Sequence, residues 1–78
     1  MLTGIERKMY DSFKHHVKVT LVNGDIFTGY CDYYVPFYDN DPEVTCIALK
    51  NSKKNGQPFP AELLGLDEPE IEDIELLD

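Results

Sequence analysis

The 78-residue chain has no tryptophan and only two cysteines, two methionines and two histidines. Cys31 and Cys46 lack the spacing of a zinc site or of a Cys-x-x-Cys redox pair. Each sits in an apolar, strand-like run and reads as a small buried hydrophobe in a reducing compartment. A disulfide between neighbouring strands is the alternative. His15 and His16 are adjacent, and neighbouring helical side chains diverge by about 100°, so they chelate poorly. No metal and no cofactor is expected. The chain also lacks an apolar run of the ~18 residues needed for a transmembrane helix. The segment MLTGIERKMY lacks the long apolar region of a signal peptide, so the cytoplasm is the expected location and no membrane the expected partner.

Catalytic signatures are missing as well. Ser12 and Ser52 have no contextual motif, Cys31 is expected to be buried, and Glu70, Glu72, Asp73 and Glu75 read as a solvated edge. An enzyme is not expected. Positive charge is scarce and unevenly placed. Residues 1–54 hold all seven basic residues and seven acids, whereas residues 55–78 hold eight acids and no base. The net charge of −8 therefore lies in the last third, which repels phosphate and favours basic partners, or serves solubility.

What is present has a clear period. Thr3 and Glu6 have capping-box spacing. Ile5, Met9 and Phe13 then recur every four residues with Tyr10 beside them, which predicts a helix over 3–15 ending near the two histidines. From Val17 the period is two: Val17, Val19 and Leu21 face one way, Lys18 and Thr20 the other. Asn23-Gly24 supplies a tight hairpin turn through positive φ angles. A second strand, about Asp25 to Tyr34, puts Phe27, Gly29, Cys31 and Tyr33 on one face. Pro36 and Pro42 bracket a loop. A third strand runs from about Glu43 to Lys50, NSKKNGQP is a turn with its tip at Asn55-Gly56, and a fourth strand covers Pro60 to Leu66. Beyond Pro69, IEDIELL reads as a turn and a short fifth strand rather than a helix. One helix and consecutive hairpins predict a mostly β, strongly bent antiparallel sheet of five strands closing into a small barrel over 17–77, one domain spanning 1–78.

The hairpin VTLVNGDIFTGYCDYY resembles the first motif of the Sm-like family: an apolar strand, a glycine turn, then Gly-x-x-apolar-x-Gly-x-apolar on Gly24, Phe27, Gly29 and Cys31. The chain looks like a divergent, bacterial or phage-type member. The resemblance implies that Gly24 shapes the turn and that Gly29 sits where the second strand bends to close the barrel. It also implies assembly, with the fourth strand of one barrel pairing with the fifth of the next through Ala61–Leu66 and Ile74–Leu77. Leu63, Leu64, Ile74 and Leu76 are the candidate edge residues. Where RNA-binding relatives carry an Asp and an Asn, this chain has Val35, Pro36, Phe37 and Tyr38, and Leu64-Gly65 lacks a preceding base. The uridine pocket does not carry over.

Three surface features remain. Tyr34, Phe37 and Tyr38, with Tyr30 and Tyr33, read either as packing over the barrel mouth or as a partner surface. Asp39, Asn40 and Asp41 lack the glycine and closing glutamate of a calcium loop. Lys50, Lys53 and Lys54 read either as a solvated hairpin tip or as a phosphate patch. The expectation is a non-enzymatic binding and assembly module whose partner is protein, self or other, through strand edges. RNA is the alternative partner.

Overall fold

The computed structural model describes residues 4–37 and 44–77. Helix α1 spans Gly4–Ser12, followed by β1 His16–Leu21, β2 Ile26–Val35, β3 Cys46–Lys54, β4 Gln57–Pro58 and β5 Leu63–Asp67; a 3-10 turn at Glu68–Glu70 leads to β6 Ile71–Leu76. The molecule is mostly β, with an N-terminal helix and a bent antiparallel sheet, as the sequence pattern predicts. Six strands replace the expected five, because β4 forms inside the segment read as a turn. Thr3, Tyr38 and the Asp39–Asp41 stretch lie outside the described residues.

The helix is shorter than expected and stops before the histidines. Lys14 adopts φ 68°, and its N–H donates 2.8 Å to the Cys31 carbonyl, which turns the chain out of the helix and into β1. The buried helical face is Met9 and Ser12 with Ile5 partly buried, while Phe13 is 40% exposed. Ser12 takes the inward place because its hydroxyl has a buried partner, the Met9 carbonyl at 2.6 Å.

β1 keeps its predicted alternation, with Val17, Val19 and Leu21 buried. The β1–β2 turn differs from the expectation. Gly24 has φ 96°, but Asn23 is not among the residues with positive φ. The Gly24 N–H donates to Leu21 O at 3.0 Å and the Leu21 N–H to Asp25 O at 2.8 Å, so the loop is Val22-Asn23-Gly24 with glycine in the left-handed position. The two-residue turn with both φ positive lies at Asn55 (φ 50°) and Gly56 (φ 86°), between β3 and β4.

The sheet order is β4-β3-β2-β1-β6, with β5 also on β3. Strand β3 serves two neighbours along one edge: Cys46–Lys50 pairs with β5, and Lys53 and Lys54 pair with β4. The change falls at Asn51, whose φ is 54°. Opposite it, two steps along β2 (Thr28 to Tyr30) face three along β3 (Lys53 to Lys50), a β-bulge. A Cβ built on Gly29 would lie 3.1 Å from the Lys50 carbonyl oxygen and 3.2 Å from both Leu49 Cβ and Ser52 Cα. The bulged backbone of β3 thus occupies the space above Gly29 that a side chain would fill.

A second irregularity reverses the faces of β2. Between Cys31 and Tyr33, two steps on β2 face one on β3, leaving Asp32 as the extra residue. Tyr33 is therefore 52% exposed instead of inward, and Tyr34 packs on the core. That core joins Met9 of α1 to Val17, Val19, Leu21, Phe27, Cys31, Ile47, Leu49, Leu66, Ile71 and Ile74. Cys31 is buried as expected, whereas Cys46 is only half-buried; neither is in a disulfide.

Candidate functional site

The 3-10 turn Glu68–Glu70 joins β5 to β6. The Glu68 N–H donates 2.8 Å to Thr45 O and the Val22 N–H donates 2.9 Å to Glu70 O, so the turn is tied to both sides of the barrel. Pro69, near its start, lacks an N–H that the first turn would leave unpaired anyway. Beyond it, β6 pairs with β1 alone and β5 with β3 alone, so among the described residues each has one unpaired edge. Exposed leucines mark both edges: Leu63 on β5 at 43%, Leu76 at the end of β6 at 44%, and Leu77 at 52%. The other two candidate edge residues face inward, for Leu64 packs against the core and Ile74 is part of it. Exposed acids flank the edges, Glu62 and Asp67 beside β5, Glu72 and Glu75 on β6.

The aromatic candidates separate. Tyr34 meets Tyr10 of α1 edge to face, with centroids 5.5 Å apart, and together with Phe13 and Asp11 they line a cleft of about 500 Å³. Phe37 borders a different hollow with Glu6, Val44, Thr45 and Glu68. Sequence reasoning missed Phe13 as a surface residue because its four-residue spacing from Met9 mimics a core stripe.

The lysines separate too. Lys54 lies 3.7 Å from Asp25, at the junction of the two hairpin turns. Lys50 and Lys53 lie within β3, not in a turn, and border a cavity of about 520 Å³ with Asn51, Ser52, Phe59 and Glu62. Ser52 is 3% exposed, and its hydroxyl has no hydrogen-bond partner among the described residues.

Two titrating groups are perturbed. Burial pushes the Cys31 thiol up; hydrogen bonds with Ser12 and with the Tyr33 carbonyl oppose that only partly. Its Sγ lies 3.4 Å from that carbonyl and 3.6 Å from Ser12 Oγ. A hydrogen bond from Lys8 holds Asp73 below the usual carboxylate range, helped by the Ile74 backbone; this ion pair links α1 to β6. Among the described residues no group of three His, Cys, Asp or Glu is placed to hold a metal, and no helix is long and apolar enough to cross a membrane.

The sequence matches no protein-family model and no curated protein. Its fold does have a counterpart among solved structures. A novel Sm-like archaeal protein from Pyrobaculum aerophilum superposes with a TM-score of 0.64 over 92% of this chain, at 18% identity. The fold is Sm-like. The chain spans 50% of that archaeal protein's length, and at this identity the likeness establishes architecture alone. Among the described residues β4, β5 and β6 each pair with one neighbour only, and of these β5 and β6 are the two that the sequence resemblance designates for pairing between neighbours.

Proposed function

We propose that this Sm-like barrel is a non-enzymatic binding and assembly module that works through the open edges of β5 and β6. The observation that carries the reading is the combination of unpaired backbone on β5 and β6 with exposed Leu63, Leu76 and Leu77 beside it. An open edge presents a row of N–H and C=O groups to another strand, and an adjacent leucine supplies apolar area to bury on contact. The edges lie on different strands, so β5 of one copy meets β6 of the next in a head-to-tail contact, which closes into a ring if the rotation permits. Acids flank both edges, so contact between identical copies strengthens as salt screens them. The same reading places the protein in the cytoplasm, where Cys31 and Cys46 stay reduced. The bacterial or phage-type origin implied by the resemblance gains no support from the archaeal likeness.

Light scattering across a range of protein and salt concentrations tests the proposal. A particle of several protomers is expected, and Leu63→Lys or Leu76→Lys should dissociate it while leaving the fold's circular dichroism intact. RNA binding is the second reading, favoured by Lys50 and Lys53 on one cavity. It requires affinity for a uridine-rich strand to fall steeply with salt; no binding at low salt would exclude it.

A further inference from the structure

The cavity beside the β3 bulge combines three features. The first is uncommitted positive charge. Arg7 pairs with Asp11, Lys8 with Asp73, Lys14 with Asp32 and Lys54 with Asp25, whereas Lys18, Lys50 and Lys53 form no ion pair among the described residues, and the last two share one concavity. In a chain of net charge −8, two cations left unpaired on one concavity are a local exception to its field. The second feature is an unused buried hydroxyl. Ser52 lies on the strand between the two lysines, 3% exposed and without a partner, and a buried polar group left unpaired costs stability until something pairs with it. The third is an aromatic wall. Phe59 is held edge to face against the core residue Phe27, centroids 5.6 Å apart, which fixes its ring at the cavity.

We infer that this cavity binds a phosphate monoester carried on a ring-bearing alcohol, with a nucleoside monophosphate as the matching probe. Two ammonium groups meet the double charge of a monoester, against the single Glu62 carboxylate on the same lining, and the Ser52 hydroxyl and Asn51 amide supply further donors to its oxygens. Phe59 offers a face or edge for a planar ring. Glu62 accepts hydrogen bonds from sugar hydroxyls, which a plain aryl phosphate does not offer. The volume, about 520 Å³, is within the range of small-molecule sites. None of the six residues is among the positions where the family resemblance would look for a base. The inference is independent of the edge-assembly reading.

The test is an amide-resolved NMR titration of the whole protein with adenosine and uridine monophosphates, inorganic phosphate, and the unphosphorylated nucleosides. Shifts should centre on residues 50–53 and 59–62, with the monophosphates binding at least tenfold more tightly than phosphate or nucleoside alone. Lys50→Gln and Lys53→Gln should each weaken the monophosphates about tenfold, while Lys54→Gln should not. Ser52→Ala distinguishes a ligand role from a structural one: affinity falls while the melting temperature holds or rises, since no hydrogen bond of the free protein is lost. A short single-stranded RNA with and without a 5′-phosphate identifies the source. Tighter binding only with the phosphate points to a strand end, and binding no better than the mononucleotide points to a free nucleotide. No shift at millimolar monophosphate, or binding indifferent to both lysine substitutions, would overturn the inference.

Discussion

At Gly29 the absent side chain has a physical use. Lys50 O and Ser52 Cα stand 3.1 and 3.2 Å from where a Cβ would be, and both are backbone atoms that move only if β3 moves. Gly29→Val should cost about 1–3 kcal/mol in urea denaturation, as overpacking does, despite valine's better strand propensity. A variant as stable as the parent would mean that β3 does not cross so closely. The period-two pattern exposed this glycine as an anomaly, but not what fills its space, because a bulge on the opposing strand leaves no mark in the strand that faces it. Cys31 carries a second residue-scale prediction. Its thiol binds its proton more tightly in the fold than in the unfolded chain. The resulting stability is complete below the unfolded thiol's value of about 8.5 and is lost as pH rises from there toward the elevated folded value. Stability against pH should thus fall more steeply above pH 8.5 in the parent than in Cys31→Ala, and parallel curves would contradict the burial of the thiol.

At the scale of elements, the two hairpin turns hold each other. The Asn55 N–H donates 2.7 Å to the Ile26 carbonyl, and the Ile26 N–H donates 2.8 Å to Asn55 Oδ1. The Lys54–Asp25 pair sits at the same junction. Asn55→Ala should destabilise the protein by about 1–2 kcal/mol, from a left-handed backbone that alanine resists and from a lost hydrogen bond. Asn55→Gly isolates the second contribution and should lose less. Thermal unfolding of the two variants checks this, and equal stability of Asn55→Ala and the parent would refute it. The elements themselves were legible where periodicity is strong, as in HVKVTL and in the strand reading after Pro69. Their limits were less so. Lys14 in the left-handed region ends α1 early although nothing in the residue type announces it, since glycine is the usual signal there. Strand β3 runs through NSKK because its pairing with β2 and β4 outweighs a polar composition. Asp32 shifts Tyr33 outward for a reason that lies in the register with β3, not in β2 itself.

For the whole molecule, the Sm-like barrel could be read from one hairpin and the order of strands. The candidate surfaces could not. Tyr34 joins Tyr10 and Phe13 across a helix–sheet junction, and Lys50 and Lys53 meet Phe59 only because β3 bulges at Asn51. Such neighbours are set by tertiary contacts between segments far apart in the chain. The edge leucines, by contrast, follow from strand pairing once β5 and β6 are each given a single neighbour. The mass of the native particle tests the central claim most directly, measured by light scattering as salt is raised. Open edges that pair between copies predict a particle several times the 9.0 kDa protomer, growing in population as salt screens the flanking acids, and reduced to 9.0 kDa by Leu63→Lys. A 9.0 kDa monomer at high concentration and high salt, with no protein partner captured, would contradict it.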